Sequence, residues 1–186
     1  MTIRVVQQMR SLRKRKKYKV LYDVFCKTRR PGFRICQYSV QDDHIHLIVE
    51  ATNRATMTAG MRSVNIRIGK GINRAFGRKS GKVIGQRYHE EHLGSPRQVR
   101  NTLAYVLNNY IANNSRRHGG KDIGAAGGPD SFDPCSSAEY FSGWKGAKDP
   151  VPITPDAPVS APRTLLLRKL WRRHQLIELN AVPGAG

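Results

Sequence analysis

Acidic residues are scarce in this sequence: 13 Asp and Glu stand against 33 Lys and Arg, giving a formal net charge of +20 and a pI near 10.6. Between Glu50 and Glu90 there is none at all. So large an excess exceeds what solubility requires and points to a polyanionic partner. Long apolar runs are also missing. No stretch of about 18 apolar residues occurs, which excludes a membrane-spanning helix, and the start lacks the apolar core of a signal peptide. The expectation is a soluble protein of the cytoplasm. Cysteine is sparse too: Cys26, Cys36 and Cys135 are odd in number, far apart and without CxxC spacing. That excludes a disulfide framework and a structural zinc site, and leaves buried or idle thiols. No Gly-rich phosphate loop, Ser-His-Asp set or nucleophilic cysteine environment stands out.

What is present fits one compact domain with an extended tail, since 186 residues leave little room for two full domains. Thr2 to Val6 reads as an opening strand. Ser11 is placed to cap a helix over 11–27 that turns Tyr18, Leu21, Val24 and Phe25 inward. Its other side carries Arg13, Lys14, Arg15, Lys16, Lys17 and Lys19, a run that fits either a solvated face or a nucleic-acid contact. Phe33, Ile35, Tyr38 and Val40 mark a strand. The polar turn Gln41-Asp42-Asp43 joins it to His44-Ile45-His46-Leu47-Ile48-Val49-Glu50, an antiparallel neighbour.

Helical spacing returns over 54–76, with Met57, Met61, Val64, Ile68, Ile72 and Phe76 on one side and Arg67, Lys70, Arg74 and Arg78 on another. Gly60, Gly69 and Gly71 predict a loose helix. Val83 to His89 reads as a further strand. Ser95-Pro96-Arg97-Gln98 then forms a capping box with proline at the first helical position, opening a helix to about Asn113. The order predicts an α+β chain: a ferredoxin-like split βαβ antiparallel sheet with one added helix. Beyond 118, Gly119-Gly120, Gly124 to Pro129 and five prolines read as linker that wraps or dangles. An amphipathic helix is expected at 163–179, carrying Leu165, Leu166, Leu167, Leu170, Trp171 and Leu176.

Two histidines at i and i+2 on a strand share a face, here opposite Ile45, Leu47 and Val49, so His44 and His46 can share a metal ion. The same spacing fits paired histidines that are simply half-exposed polar groups. The helix from Pro96 has an apolar stripe of Val99, Leu103, Val106 and Tyr110. Tyr105 and Asn109 lie off it, one turn apart, which sets a phenol beside a third potential ligand. Singly, each also fits an ordinary helix-surface residue. Oxygen and imidazole donors without thiolate favour Mg²⁺ or Mn²⁺ over zinc. His89, Glu90, Glu91 and His92 form a second cluster, explained well enough by an exposed strand end.

These residues resemble a known family, the single-tyrosine HUH transposases, and within it the bacterial REP-associated tyrosine transposases. The likeness is carried by His44-Ile45-His46-Leu47, Asn73-Arg74, Gly85-Gln86-Arg87-Tyr88 and Leu103-Ala104-Tyr105-Val106-Leu107-Asn108-Asn109. It spans roughly residues 2–118, and Asp133-Pro134-Cys135-Ser136-Ser137 and Pro162 to Arg173 are similar to some members. The resemblance implies an IS200-like fold, with His44, His46 and Asn109 holding a divalent metal and Tyr105 as the nucleophile. It implies cleavage and strand transfer on single-stranded or REP-like hairpin DNA through a 5′-phosphotyrosine, in a bacterial, nucleoid-associated protein, monomeric or homodimeric. Two features differ from many relatives: Gln41-Asp42-Asp43 replaces Met-Pro-Asn before the first histidine, and Tyr110 replaces a proline. The chain also opens almost inside its first strand, without the lead-in segment that some relatives use for DNA recognition.

On this reading residues 1–118 form the nuclease domain and 119–186 its tail. The DNA backbone contacts are expected from Arg13, Lys14, Arg15, Lys16, Lys17, Arg67, Lys70, Arg74, Arg78, Lys79 and Arg87. Tyr18, Tyr22 and Phe76 fit base stacking, or, as the preferred reading, core packing. Two other functions remain open from sequence. One is a domesticated relative that binds nucleic acid without cutting it. The other is a small RNA-binding ferredoxin-like protein, which expects exposed aromatics on the central strands where this chain has histidines.

Overall fold

The computed structural model describes residues 1–117, 132–146 and 149–179, with the backbone alone over 111–117. The Gly119-Gly120 and Gly124 to Pro129 stretch, expected as linker, lies outside the described residues. Three strands form an antiparallel sheet: β1 (Thr2–Arg4), β2 (Phe33–Val40) and β3 (His44–Ala51), in the order β1-β3-β2. Inserting β3 between β1 and β2 is the split βαβ arrangement that the element order predicts. The β2–β3 pairing slips by one residue between Ile35 and Gln37. That bulge resets the alternation, so that Phe33 and Ile35 before it and Tyr38 and Val40 after it all enter one core.

The segment 83–89, expected as a strand, only bridges the outer edge of β1, at Val5↔Ile84 and Thr2↔His89. Five residue steps from Ile84 to His89 face three from Val5 to Thr2, so the excess bulges out and no continuous ladder forms.

Helices α1 (Arg15–Cys26) and α2 (Arg54–Ala75) cover one face of the sheet. Leu21, Val24 and Phe25 meet Met61, Val64, Ile68 and Ile72 over Ile45 and Leu47, all of them buried. Ser11 does not cap α1: it has a positive φ of 65°, and the helix begins after Lys14 without a side-chain cap. Asn53 caps α2 by accepting a hydrogen bond from the Thr56 amide at 2.8 Å. The glycines of α2 do not loosen it, for the helix runs unbroken. A Cβ on Gly60 would lie 2.3 Å from the buried Phe33 ring, and one on Gly71 would lie 2.7 Å from Val20, so these positions let the helix approach β2 and α1 closely.

The opposite face is covered by α3 (Pro96–Arg117). Ser95 accepts from the Gln98 amide at 3.2 Å, and the Gln98 side chain reaches back to the Gly94 amide at 3.1 Å. The capping box therefore closes, one residue early on its return arm. Here lies a second core that the sequence pattern did not predict. Cys36 and Ile48 from the sheet and Val99, Leu103, Val106 and Leu107 from α3 pack with Phe141, Trp144, Trp171 and Ile177 from the C-terminal part. The long helix expected at 163–179 is instead a short α4 (Leu165–Arg168) followed by a 3₁₀ turn at Leu170–His174. Leu167 and Trp171 are buried, whereas Leu165 stays exposed. No described helix is long and apolar enough to cross a membrane.

Candidate functional site

On β3, Ile45 and Leu47 point into the α1–α2 core, so His44 and His46 face the α3 side. Their Nε2 atoms are 3.0 Å apart and the rings meet edge to face. The far nitrogen of each ring is braced. His44 Nδ1 lies 2.6 Å from the Asp43 carboxylate, and His46 Nδ1 lies 3.2 Å from the Thr2 hydroxyl, which β1 sets directly opposite His46. Two nitrogens so braced turn their second positions toward one point. Adjacent ligands of an octahedral cation at about 2.1 Å are themselves about 3.0 Å apart. Tetrahedral zinc at similar bond lengths would need about 3.3 Å. The separation is compatible with two adjacent ligands of one divalent cation and is equally that of a hydrogen bond between the two rings.

Burial, aided by His44, pushes the His46 imidazole down to about 3, so it is neutral and able to offer a lone pair near neutral pH. Partial burial opposes the charge on Asp43, but its hydrogen bond to His44 and the nearby charges of His44, Arg4 and Arg10 hold it below the usual carboxylate range.

Tyr105 is the exposed aromatic of α3, and its ring meets that of His46 edge-on with centroids 5.3 Å apart. Asn109 sits one turn further along the same helix and is buried, as is its neighbour Asn108, whose amide donates to the Glu178 carbonyl at 3.1 Å. Asn109 is thus not a surface amide. Tyr110 is only partly buried, with the Arg13 guanidinium stacked 3.3 Å from its ring centroid. Among the described residues, no group of three or more His, Cys, Asp and Glu side chains stands close enough to hold a metal, the segment His89 to His92 included.

The basic residues divide. Arg13 is not free to meet DNA: it pairs bidentately with the fully buried Asp133 at 2.6 and 3.0 Å and donates to the Val40 carbonyl. Lys17 is drawn back onto the Met9 and Arg10 carbonyls, and Arg78 lies against the Met9 sulfur. Lys14, Arg15, Lys16, Arg67, Lys70, Arg74, Lys79 and Arg87 are exposed. Arg67 and Lys70 line an open groove of about 1040 Å³ beside α2, together with the exposed Ile66. Arg30, Arg54 and Arg62 complete it. Those three were missed because they lie in separate stretches outside the obvious charge runs. Phe76, expected in the core, is 44% exposed, with the Lys16 ammonium 4.8 Å from its ring centroid. Tyr18 and Tyr22 are partly buried, bonded to Tyr38 and Tyr140.

Paired strand histidines thus face a helix-borne phenol on a strongly basic α+β scaffold. The family model described as transposase IS200-like matches residues 2–114, more than half of the chain, and the chain belongs to that family. It is therefore a transposase of the IS200 type, and DNA is its partner in general terms. No curated protein and no solved structure matches it.

Proposed function

We propose that this transposase cuts one DNA strand with Tyr105 and holds the cut end as a 5′-phosphotyrosine before rejoining it, acting on single-stranded or hairpin DNA of the REP type. The observation that carries the reading is the convergence of His44 Nε2 and His46 Nε2 to 3.0 Å beside the Tyr105 ring. His44 and His46, with Asn109 from the turn after Tyr105, would hold a divalent Mg²⁺ or Mn²⁺. Bound there, the ion would polarise the scissile phosphate and offset its growing charge. The neutral His46 keeps a lone pair available near pH 7.

The Tyr105 oxygen forms a bond to phosphorus while the bond from phosphorus to the 3′ oxygen breaks. The phenol proton passes to solvent and the departing 3′ oxygen takes one up, so the exchange balances and is reversible. Exposure of Tyr105 lets a strand reach it. The exposed cations of α1 and α2 would hold the phosphate backbone, an attraction that weakens as salt rises. The chemistry is assigned to residues 1–118, with the C-terminal part supporting α3. Either a monomer or a homodimer suits this role.

Labelled hairpin and single-stranded DNA, incubated with wild type and Tyr105→Phe in Mn²⁺ or in chelator, tests the reading on a denaturing gel. A metal-dependent covalent protein–DNA band that disappears in Tyr105→Phe is expected. Tight, salt-sensitive binding across a broad panel of hairpins with no such band would overturn cleavage and leave a DNA-binding protein.

A further inference from the structure

The carboxylate immediately before the first histidine lies 2.6 Å from its ring, and that contact gives it a use. We infer that Asp43 is a positioning residue for the metal pair, fixing the tautomer and strengthening the donor power of His44, with Thr2 doing the weaker counterpart for His46. The inference rests on the proposed metal reading and deepens it.

A neutral imidazole carries one proton, and only its bare nitrogen can bind a cation. At 2.6 Å the Asp43 carboxylate is a short, charge-assisted acceptor that keeps the proton on His44 Nδ1 and leaves Nε2 bare. Thr2 Oγ1, 3.2 Å from His46 Nδ1, can accept in the same way when His46 turns Nε2 to a cation, and can donate when Nε2 carries the proton. At 3.0 Å the two Nε2 atoms are within hydrogen-bond distance of each other, so in the metal-free protein one can hold a proton toward the other, and a cation bound to both would take that proton's place.

The two braces are unequal. A carboxylate raises the basicity of its imidazole more than a hydroxyl does, so His44 is the stronger donor. An asparagine in place of Asp43 could accept the same hydrogen bond through its amide oxygen but would bring no charge. Asp43 is itself held in place. Its carbonyl accepts from the Val5 amide at 3.0 Å, the Gln41 amide closes the turn onto the His44 carbonyl at 2.9 Å, and the Leu12 amide binds the Asp42 carbonyl at 3.0 Å. Arg4, 3.6 Å from the carboxylate and largely exposed, steadies it further.

The test measures Mn²⁺ binding by the electron paramagnetic resonance signal of the free ion, together with the His44 tautomer by ¹⁵N spectroscopy of the metal-free protein. Wild type, Asp43→Ala, Asp43→Asn and His44→Ala are compared, with thermal unfolding confirming that each is folded. Asp43→Ala is expected to weaken Mn²⁺ by about 10–100-fold. Asp43→Asn should fall between it and wild type while keeping the Nδ1–H tautomer. Mn²⁺ binding by Asp43→Ala within a factor of about two of wild type, or an Nε2–H tautomer of His44 in wild type, overturns the role of Asp43. Wild type that binds no Mn²⁺ in a His44-dependent way overturns the metal reading, and the wild-type tautomer then still reports whether Asp43 orients the ring.

Discussion

Replacing Asp133 by alanine isolates the least expected interaction in the molecule. The Asp133 side chain has no solvent exposure, and the Arg13 guanidinium opposite it has 12%. Arg13 also donates to the Val40 carbonyl at 2.8 Å and stacks on Tyr110, so it joins the segment before α1, the end of β2 and α3 to the C-terminal part at one point. Removing the carboxylate leaves a buried cation with half its partners, and removes the acceptor of the Cys135 amide at 3.0 Å. Breaking a buried pair from one side costs about 3–5 kcal/mol. In a chain of this size that is roughly a 10 °C fall in melting temperature. Urea unfolding of Asp133→Ala, Arg13→Met and the double variant measures it. Each single change is expected to cost several kcal/mol, and the double variant clearly less than the two combined. A cost below about 1 kcal/mol for Asp133→Ala, or full additivity, would refute the buried pair and return Arg13 to the DNA-contacting set.

Other outcomes follow from the same geometry. His46 is held neutral down to about pH 3, whereas an unfolded histidine takes up its proton near about 6.5. Between those values the unfolded chain binds the extra proton. Stability is thus present in full above about pH 6.5 and falls on acidification by about 1.4 kcal/mol per pH unit from this group alone. Urea midpoints in chelator from about pH 7.5 to about pH 5 check this, and a wild-type slope no steeper than that of His46→Gln would count against it. Gly60→Ala pushes a methyl into Phe33, and overpacking of about 1–3 kcal/mol outweighs a helix gain of about 1 kcal/mol. Gly69→Ala meets nothing within 4 Å and should stabilise the same helix by about 0.5–1 kcal/mol. Thermal melts of the two, which should move in opposite directions, decide it.

The face shared by His44 and His46 was legible because the alternation of Ile45, Leu47 and Val49 assigns β3 one apolar side and leaves the histidines the other. The bulge in β2 was not foreseen, although it leaves a trace in the phase change between Phe33-Ile35 and Tyr38-Val40. Tyr105 stood out because the stripe Val99-Leu103-Val106 leaves it elsewhere. What escaped was set by distant partners. Arg13 looks like any member of its basic run until Asp133, 120 residues away, is placed against it. The second core draws on Phe141, Trp144, Trp171 and Ile177, which follow no period and so announce no element. Phe76 fits the α2 stripe by spacing, but it falls where the helix ends and the core no longer reaches it.

Among the described residues, β3 is the strand paired with another strand of the sheet along both edges, with β1 and with β2. Amides so enclosed are the last to exchange with solvent, since opening them requires most of the fold to open. The histidines therefore ride on the slowest-breathing part of the protein. Tyr105 belongs to a helix whose outer packing depends on Trp171, Phe141 and the turn after Arg168. Partial unfolding would then carry the phenol away while leaving the imidazole pair assembled, so that the two halves of the site have separate lifetimes.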